Sequence, residues 1–135
     1  MDQAEMKRRT KAFALRVLKL MDALPRSAKG RLFADQLGRS GTSVASNYRA
    51  ACRARSDAEF LAKIGVVLEE ADESALWLEL MIDDGILKAG RLIELLNEAN
   101  EITAMMAATR LSTIRRTFEA RNPDKARSKN LKSKI

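Results

Sequence analysis

Residues 56–85 read SDAEFLAKIGVVLEEADESALWLELMIDDG. Ser56 followed three positions later by Glu59 is a capping box: the hydroxyl accepts from the Glu59 amide while the carboxylate reaches back over the helix start. Phe60, Ile64, Val67 or Leu68, Ala71, Ala75, Leu78 and Ile82 then recur in a near-heptad rhythm. Such steps place side chains on one face of a helix, whereas a half-buried strand alternates with period two. Asp83-Asp84-Gly85 stops the pattern. A helix of this length with one apolar face requires other helices to cover it.

The flanking sequence supplies three. Met6, Phe13, Val17, Leu20 and Leu24 share a face of a helix expected over about Ala4–Ala23, with Lys7, Arg8, Lys11 and Lys19 opposite. Pro25 ends it, because the residue before proline is pushed out of the helical region. Phe33, Leu37, Val44, Tyr48 and Ala51 mark a second helix over about Ser27–Arg55. Gly38 and Gly41 lie inside it, each at a cost of about 1 kcal/mol relative to Ala. Either the helix breaks there or a neighbour packs very close, and the unbroken apolar phase favours the close neighbour. The fourth helix begins near Lys88 and is expected to bury Leu92, Leu95, Leu96, Ala99, Ile102, Met106, Leu111, Ile114 and Phe118 before Pro123.

Four amphipathic helices with short connections fold most simply as an antiparallel, up-down-up-down four-helix bundle, here over residues 1–121. Residues 122–135 hold Lys125, Arg127, Lys129, Lys132 and Lys134 with almost nothing apolar, and are expected to form a disordered basic tail. Composition agrees with an all-α chain: 46% of residues are hydrophobic but only 4% aromatic, and prolines number two.

Lys and Arg total 25 against 18 Asp and Glu, a net charge of +7, which favours a polyanionic partner or serves only solubility. Cys52 is the lone cysteine and histidine is absent, so neither an internal disulfide nor a zinc site is expected. The start, Met1-Asp2-Gln3-Ala4-Glu5, is unlike a signal peptide, and no run nears the roughly 20 apolar residues of a membrane span. A cytoplasmic protein without membrane, metal or cofactor is the expectation. Enzyme chemistry has no foothold: there is no Gly-rich phosphate loop, no nucleophile elbow, and no Glu-x-x-His pattern for a bundle metal site.

Gln36, Ser40, Ser43 and Asn47 fall at steps of four, three and four, a polar stripe beside the apolar face of the second helix. Arg39 lies next to it and Glu73 on the third helix is a candidate partner. The stripe is either a hydrogen-bonded network that fixes helix register or a ligand site.

The run Leu32 to Asn47, with its Gln-x-x-Arg-Ser-x-x-Ser-x-x-x-Asn pattern, resembles the signature of the four-helix bundle proteins encoded in 23S rRNA intervening sequences. Phe60 to Gly65 and Glu73 to Leu78 fit the same pattern, and the resemblance spans roughly residues 18–116. The accessory variability determinant of diversity-generating retroelements looks similar as well. The resemblance implies a ring-shaped homopentamer with a basic surface; in the retroelement relative such a ring binds the reverse transcriptase and nucleic acid. Two departures stand out. The family usually has proline after the second serine and an acid soon after the asparagine, where this chain has Val44-Ala45 and Arg49-Ala50.

Arg49, Arg53 and Arg55 close the second helix, and Arg110, Arg115, Arg116 and Arg121 populate the end of the fourth. In an antiparallel bundle those ends coincide, so the seven arginines are the candidate nucleic-acid-binding residues, with RNA the foremost ligand. Surface aromatics for stacking are missing, and backbone contact without sequence readout is expected. The expected function is a non-catalytic accessory protein that binds nucleic acid and serves a reverse transcriptase. The alternative is a homo-oligomeric protein-interaction scaffold that binds none. Leu76, Leu80, Leu87 and Met105 are out of phase with the core stripes and are candidate subunit contacts.

Overall fold

The computed structural model describes residues 2–125 and 127. It contains four helices: α1 Gln3–Met21, α2 Ala28–Cys52, α3 Asp57–Asp84 and α4 Ala89–Arg121. Side chains cap three of the four starts. Asp2 accepts from the Glu5 amide at 2.8 Å, Ser27 from Gly30 at 3.1 Å and Ser56 from Glu59 at 3.1 Å. The Glu59 carboxylate reaches back to the Arg55 amide at 3.5 Å. Gly85, at φ 79°, closes α3 in the left-handed conformation, its amide donating to the Met81 and Ile82 carbonyls.

Each helix packs on the next, and α1 meets α4 along a narrower seam; α1 and α3 do not pack on each other. Phe13, Val17, Leu37, Val44, Ile64, Val67, Leu78, Leu92 and Ile102 are fully buried at the centre. The helix α2 runs unbroken through Gly38 and Gly41 because α1 lies against them. A Cβ at Gly41 would stand 2.8 Å from Val17 Cγ2, and one at Gly38 2.7 Å from Met21 Sδ. Close approach of the stiff Val17 is therefore the reason for Gly41, whereas at Gly38 only the flexible end of Met21 would have to move.

The α1–α4 seam is held by an ion pair. Arg9 donates to Glu98 through Nε at 2.8 Å and Nη2 at 2.6 Å, a two-pronged contact, and also bonds Glu101.

The structure departs from the expected core at three places. Leu111, Ile114 and Phe118 are 62%, 38% and 51% exposed. The step from Met106 to Leu111 is five residues and turns a helix by roughly 140° beyond a full turn, off the buried face. Thr113, seven residues after Met106, takes the inward position and is buried. The end of α4 also outruns its neighbours, since Arg116 is already level with Asp57 at the start of α3, their side chains 3.0 Å apart. Of the candidate subunit contacts, Leu87 and Met105 are partly buried against the core, whereas Leu76 and Leu80 are exposed. In the expected unstructured tail, residues 123–125 and 127 are helical. Proline at a first helical position fits that resumption. Lys129, Lys132 and Lys134 lie outside the described residues.

Candidate nucleic-acid interface

Antiparallel packing brings the start of α1, the end of α2, the start of α3 and the late turns of α4 to one end of the bundle. An open groove of about 530 Å³ lies there, lined among others by Gln3, Cys52, Arg55, Asp57, Thr113 and Arg116. Arg55 comes from the short α2–α3 connection, held by the tight turn in which Arg53 and Ala54 amides donate to Ala50 and Ala51 carbonyls. Arg116 comes from α4, and its pair with Asp57 fixes it at the groove edge. Arg53, Arg115 and Arg121 are exposed at the same end. The groove thus has two guanidinium groups from elements far apart in sequence, a donor set suited to phosphate oxygens.

Arg49 and Arg110 are placed differently. Arg49 lies one turn back along α2 and lines a second groove, of about 400 Å³, between α1 and α2. Its companions there are Lys7, Arg8 and Lys11, with Thr10, Thr42, Ala45 and Ser46. Arg110 is exposed on α4, six residues before Arg116, and lines neither groove. The three α1 cations beside Arg49 escaped the sequence reading. Their shared face on α1 was visible, but which face of α2 it meets was not.

The polar stripe divides into separate parts. Ser40 and Ser74 are both fully buried, with hydroxyls 2.8 Å apart, and Ser74 also donates to the Glu70 carbonyl. That contact joins α2 to α3 at their common level. Nearer the surface, Arg39 Nη2 donates to Gln36 Oε1 at 2.6 Å and lies 3.4 Å from Glu73 Oε1. Glu73 Oε1 also accepts from the Trp77 indole at 3.3 Å, and Trp77 meets Phe33 edge-on with centroids 6.2 Å apart. Ser43 and Asn47 bond within their own helix, Asn47 Nδ2 donating to the Ser43 carbonyl. Ser74 and Trp77 were not foreseen as members; Ser74 shows no signal in sequence beyond being a serine on an apolar face.

Glu70 flanks this region with one buried carboxylate oxygen that has no hydrogen-bond partner among the described residues. Burial, then the nearby Glu73, hold its carboxyl above the usual range, opposed by Arg39. Glu98 shows the reverse, lowered by the Arg9 hydrogen bond against its own desolvation. Burial and then Cys52 raise the Tyr48 phenol. Among the described residues no three Cys, Asp or Glu side chains gather as a metal-ligand set, and no helix is long and apolar enough to cross a membrane.

A solved structure from Bacteroides thetaiotaomicron, a protein of unknown function from the S23 ribosomal protein family, is similar to this chain. The two are 31% identical with a TM-score of 0.73, over 78% of this chain and 97% of that one. No curated protein matches the chain. The model of the 23S rRNA-intervening sequence protein family matches residues 2–108, which takes in α1 to α3 and most of α4. The chain belongs to the 23S rRNA-intervening sequence protein family.

Proposed function

We propose that this chain is a non-catalytic accessory protein that binds nucleic acid, RNA foremost, through the phosphate backbone at the arginine-bearing end of the bundle. The observation that supports this reading is the convergence of Arg55 and Arg116 on one open groove, with Arg53, Arg115 and Arg121 exposed beside it. Five guanidinium groups at one end suit a line of phosphates, and the net charge of +7 adds long-range attraction. Phe13, Phe33 and Tyr48 are buried and Trp77 packs against Phe33. Contrary to the expectation that surface aromatics are missing, Phe118 is 51% exposed between Arg116 and Arg121, and Phe60 lines the groove. Stacking on such rings tolerates any base. Binding with little base readout follows.

The working form is a homo-oligomeric ring, the pentamer that the family resemblance implies, in the cytoplasm. A ring repeats the arginine end around its axis and multiplies weak contacts through effective concentration. The protein partner is a reverse transcriptase, as the resemblance to the retroelement accessory protein implies.

The test is binding of a short single-stranded RNA and of duplex DNA across a salt series. Wild-type affinity should fall steeply with salt, by about 0.7–0.9 log units per log unit of salt for each phosphate contacted. The variant Arg53→Glu, Arg55→Glu, Arg115→Glu, Arg121→Glu should lose at least about tenfold in affinity at low salt while keeping its helical circular dichroism. Equal affinity of that variant for both ligands would sink the reading.

A further inference from the structure

We infer that this chain packs on copies of itself through two different faces, the outward face of α1 in one copy lying against the outward face of α3 in the next. The pairing rests on the homo-oligomeric part of the function proposed above and is independent of nucleic-acid binding.

Charge is divided sharply between these two helices. Six Lys or Arg in α1 stand against Glu5 alone, and nine Asp or Glu in α3 stand against Lys63 alone. Inside one protomer the two helices sit across the bundle and do not pack on each other, so neither neutralises the other. The basic face and the acidic face therefore point away from each other, each toward solvent or toward a neighbour.

Each of these faces also exposes leucines. Leu15 and Leu18 on α1 are 58% and 44% exposed; Leu76 and Leu80 on α3 are 50% and 40% exposed. Paired large apolar side chains on the solvent side of a helix mark a contact surface when they share one stripe. They do share one. On α1 the stripe is Arg8, Lys11, Leu15, Leu18, and on α3 it is Glu69, Asp72, Leu76, Leu80; all eight side chains are exposed. Spacing is three, four, three in the first and three, four, four in the second. Both stripes thus begin with a charged pair and end with a leucine pair, in opposite sign and in the same order along the chain.

Order matters because α1 and α3 run in the same direction in an up-down-up-down bundle. Two copies set side by side with parallel axes bring α1 of one parallel to α3 of the other. In that register Arg8 and Lys11 face Glu69 and Asp72 while the leucines meet, and one alignment satisfies both. The antiparallel alternative sets charges on leucines, and α1 on α1 or α3 on α3 sets like charges together, which is costly. A second copy is therefore the occupant that fits each face, and its contact uses unlike patches. Such a heterologous contact leaves one face of each kind open at the ends of a chain of copies. A ring covers both where successive copies turn or tilt from the strictly parallel arrangement so that the rotation closes.

The test is solution mass by light scattering on a sizing column, using the full chain at about 0.1 M salt. Wild type should run as a multiple of its 15.0 kDa protomer. Arg8→Glu with Lys11→Glu should run as a monomer, as should Glu69→Lys with Asp72→Lys. A chain carrying all four changes restores complementarity with the signs exchanged and should regain the wild-type mass. Leu76→Gln with Leu80→Gln should dissociate without any change of charge, and circular dichroism confirms that each variant is folded. Variants that keep the wild-type mass overturn the α1–α3 contact while leaving assembly through another face intact. A monomeric wild type overturns the contact and the ring together, and the salt series on nucleic acid then stands by itself.

Discussion

Glycine at position 41 is a packing requirement, not a flexible joint. A methyl group there would press on Val17 at 2.8–3.1 Å from three of its carbons, and Val17 is itself fully buried with no room to retreat. The β-branched side chain is stiff, so α1 would have to shift away from α2. Gly41→Ala should therefore destabilise the bundle by about 1–3 kcal/mol, the range for overpacking a filled core, despite the better helix propensity of alanine. Gly65, inside α3, has nothing within 4 Å of a built Cβ. Gly65→Ala should have the opposite sign and stabilise by up to about 1 kcal/mol. Urea unfolding of the two variants separates the cases. A neutral or stabilising Gly41→Ala would mean that α1 rests more loosely on α2 than the 2.8 Å approach implies.

Among the elements, α1 depends most on a polar contact, because its seam with α4 is narrow and Arg9 bridges it to Glu98 and Glu101. The Arg9 and Glu98 side chains are 26% and 16% exposed, sheltered enough for the pair to count. The hydrogen bond from Arg9 lowers the Glu98 carboxyl below its ordinary value. A carboxyl with a lowered folded-state pKa stabilises the fold above its unfolded value, near 4.3, and that stability is lost as pH falls through the folded value. Arg9→Met should therefore lower stability by about 1–2 kcal/mol at pH 7, with the gap narrowing below about pH 4. A gap of constant size from pH 7 to pH 3 would show that Arg9 acts through its packing alone.

The elements themselves were the most legible part of the sequence. Capping residues, Pro25 and Gly85 set the helix ends to within a few residues, and periodicity identified the cores of α1, α2 and α3. The reading failed where periodicity is a weak guide. Beyond Met106 the apolar residues Leu111, Ile114 and Phe118 continue at helical spacing but on a different face, and only the level at which α3 begins reveals that nothing covers them. The candidate site was legible in part. Helix direction alone brings Arg55 and Arg116 to one end, but the placement of Arg49 with Lys7, Arg8 and Lys11 depends on how α1 rolls against α2. The approach of Val17 to Gly41 sets that roll, and no spacing within α1 encodes it.

At the scale of the whole molecule, charge is separated along the bundle axis as well as across it. The arginine end of the bundle is also where the C-terminal segment leaves, and that segment holds Lys125, Arg127, Lys129, Lys132 and Lys134 against Asp124 alone. It supplies more than half of the net charge of +7, and none of its described residues, 122–125 and 127, is buried. Fold and charge are thus separable by truncation. A chain ending at Arg121 should keep the thermal midpoint of the full chain to within about 2 °C, since no buried residue among those described after Arg121 is removed. Its affinity for nucleic acid should drop, and the slope of log affinity against log salt should become shallower by about 0.7–0.9 for each phosphate the segment contacts, at most about 4.5 for five cations. An unchanged slope would confine the phosphate contacts to the helical arginines. A large fall in the midpoint would mean instead that residues after Arg121 pack on the bundle, and that charge and fold are not independent at this end.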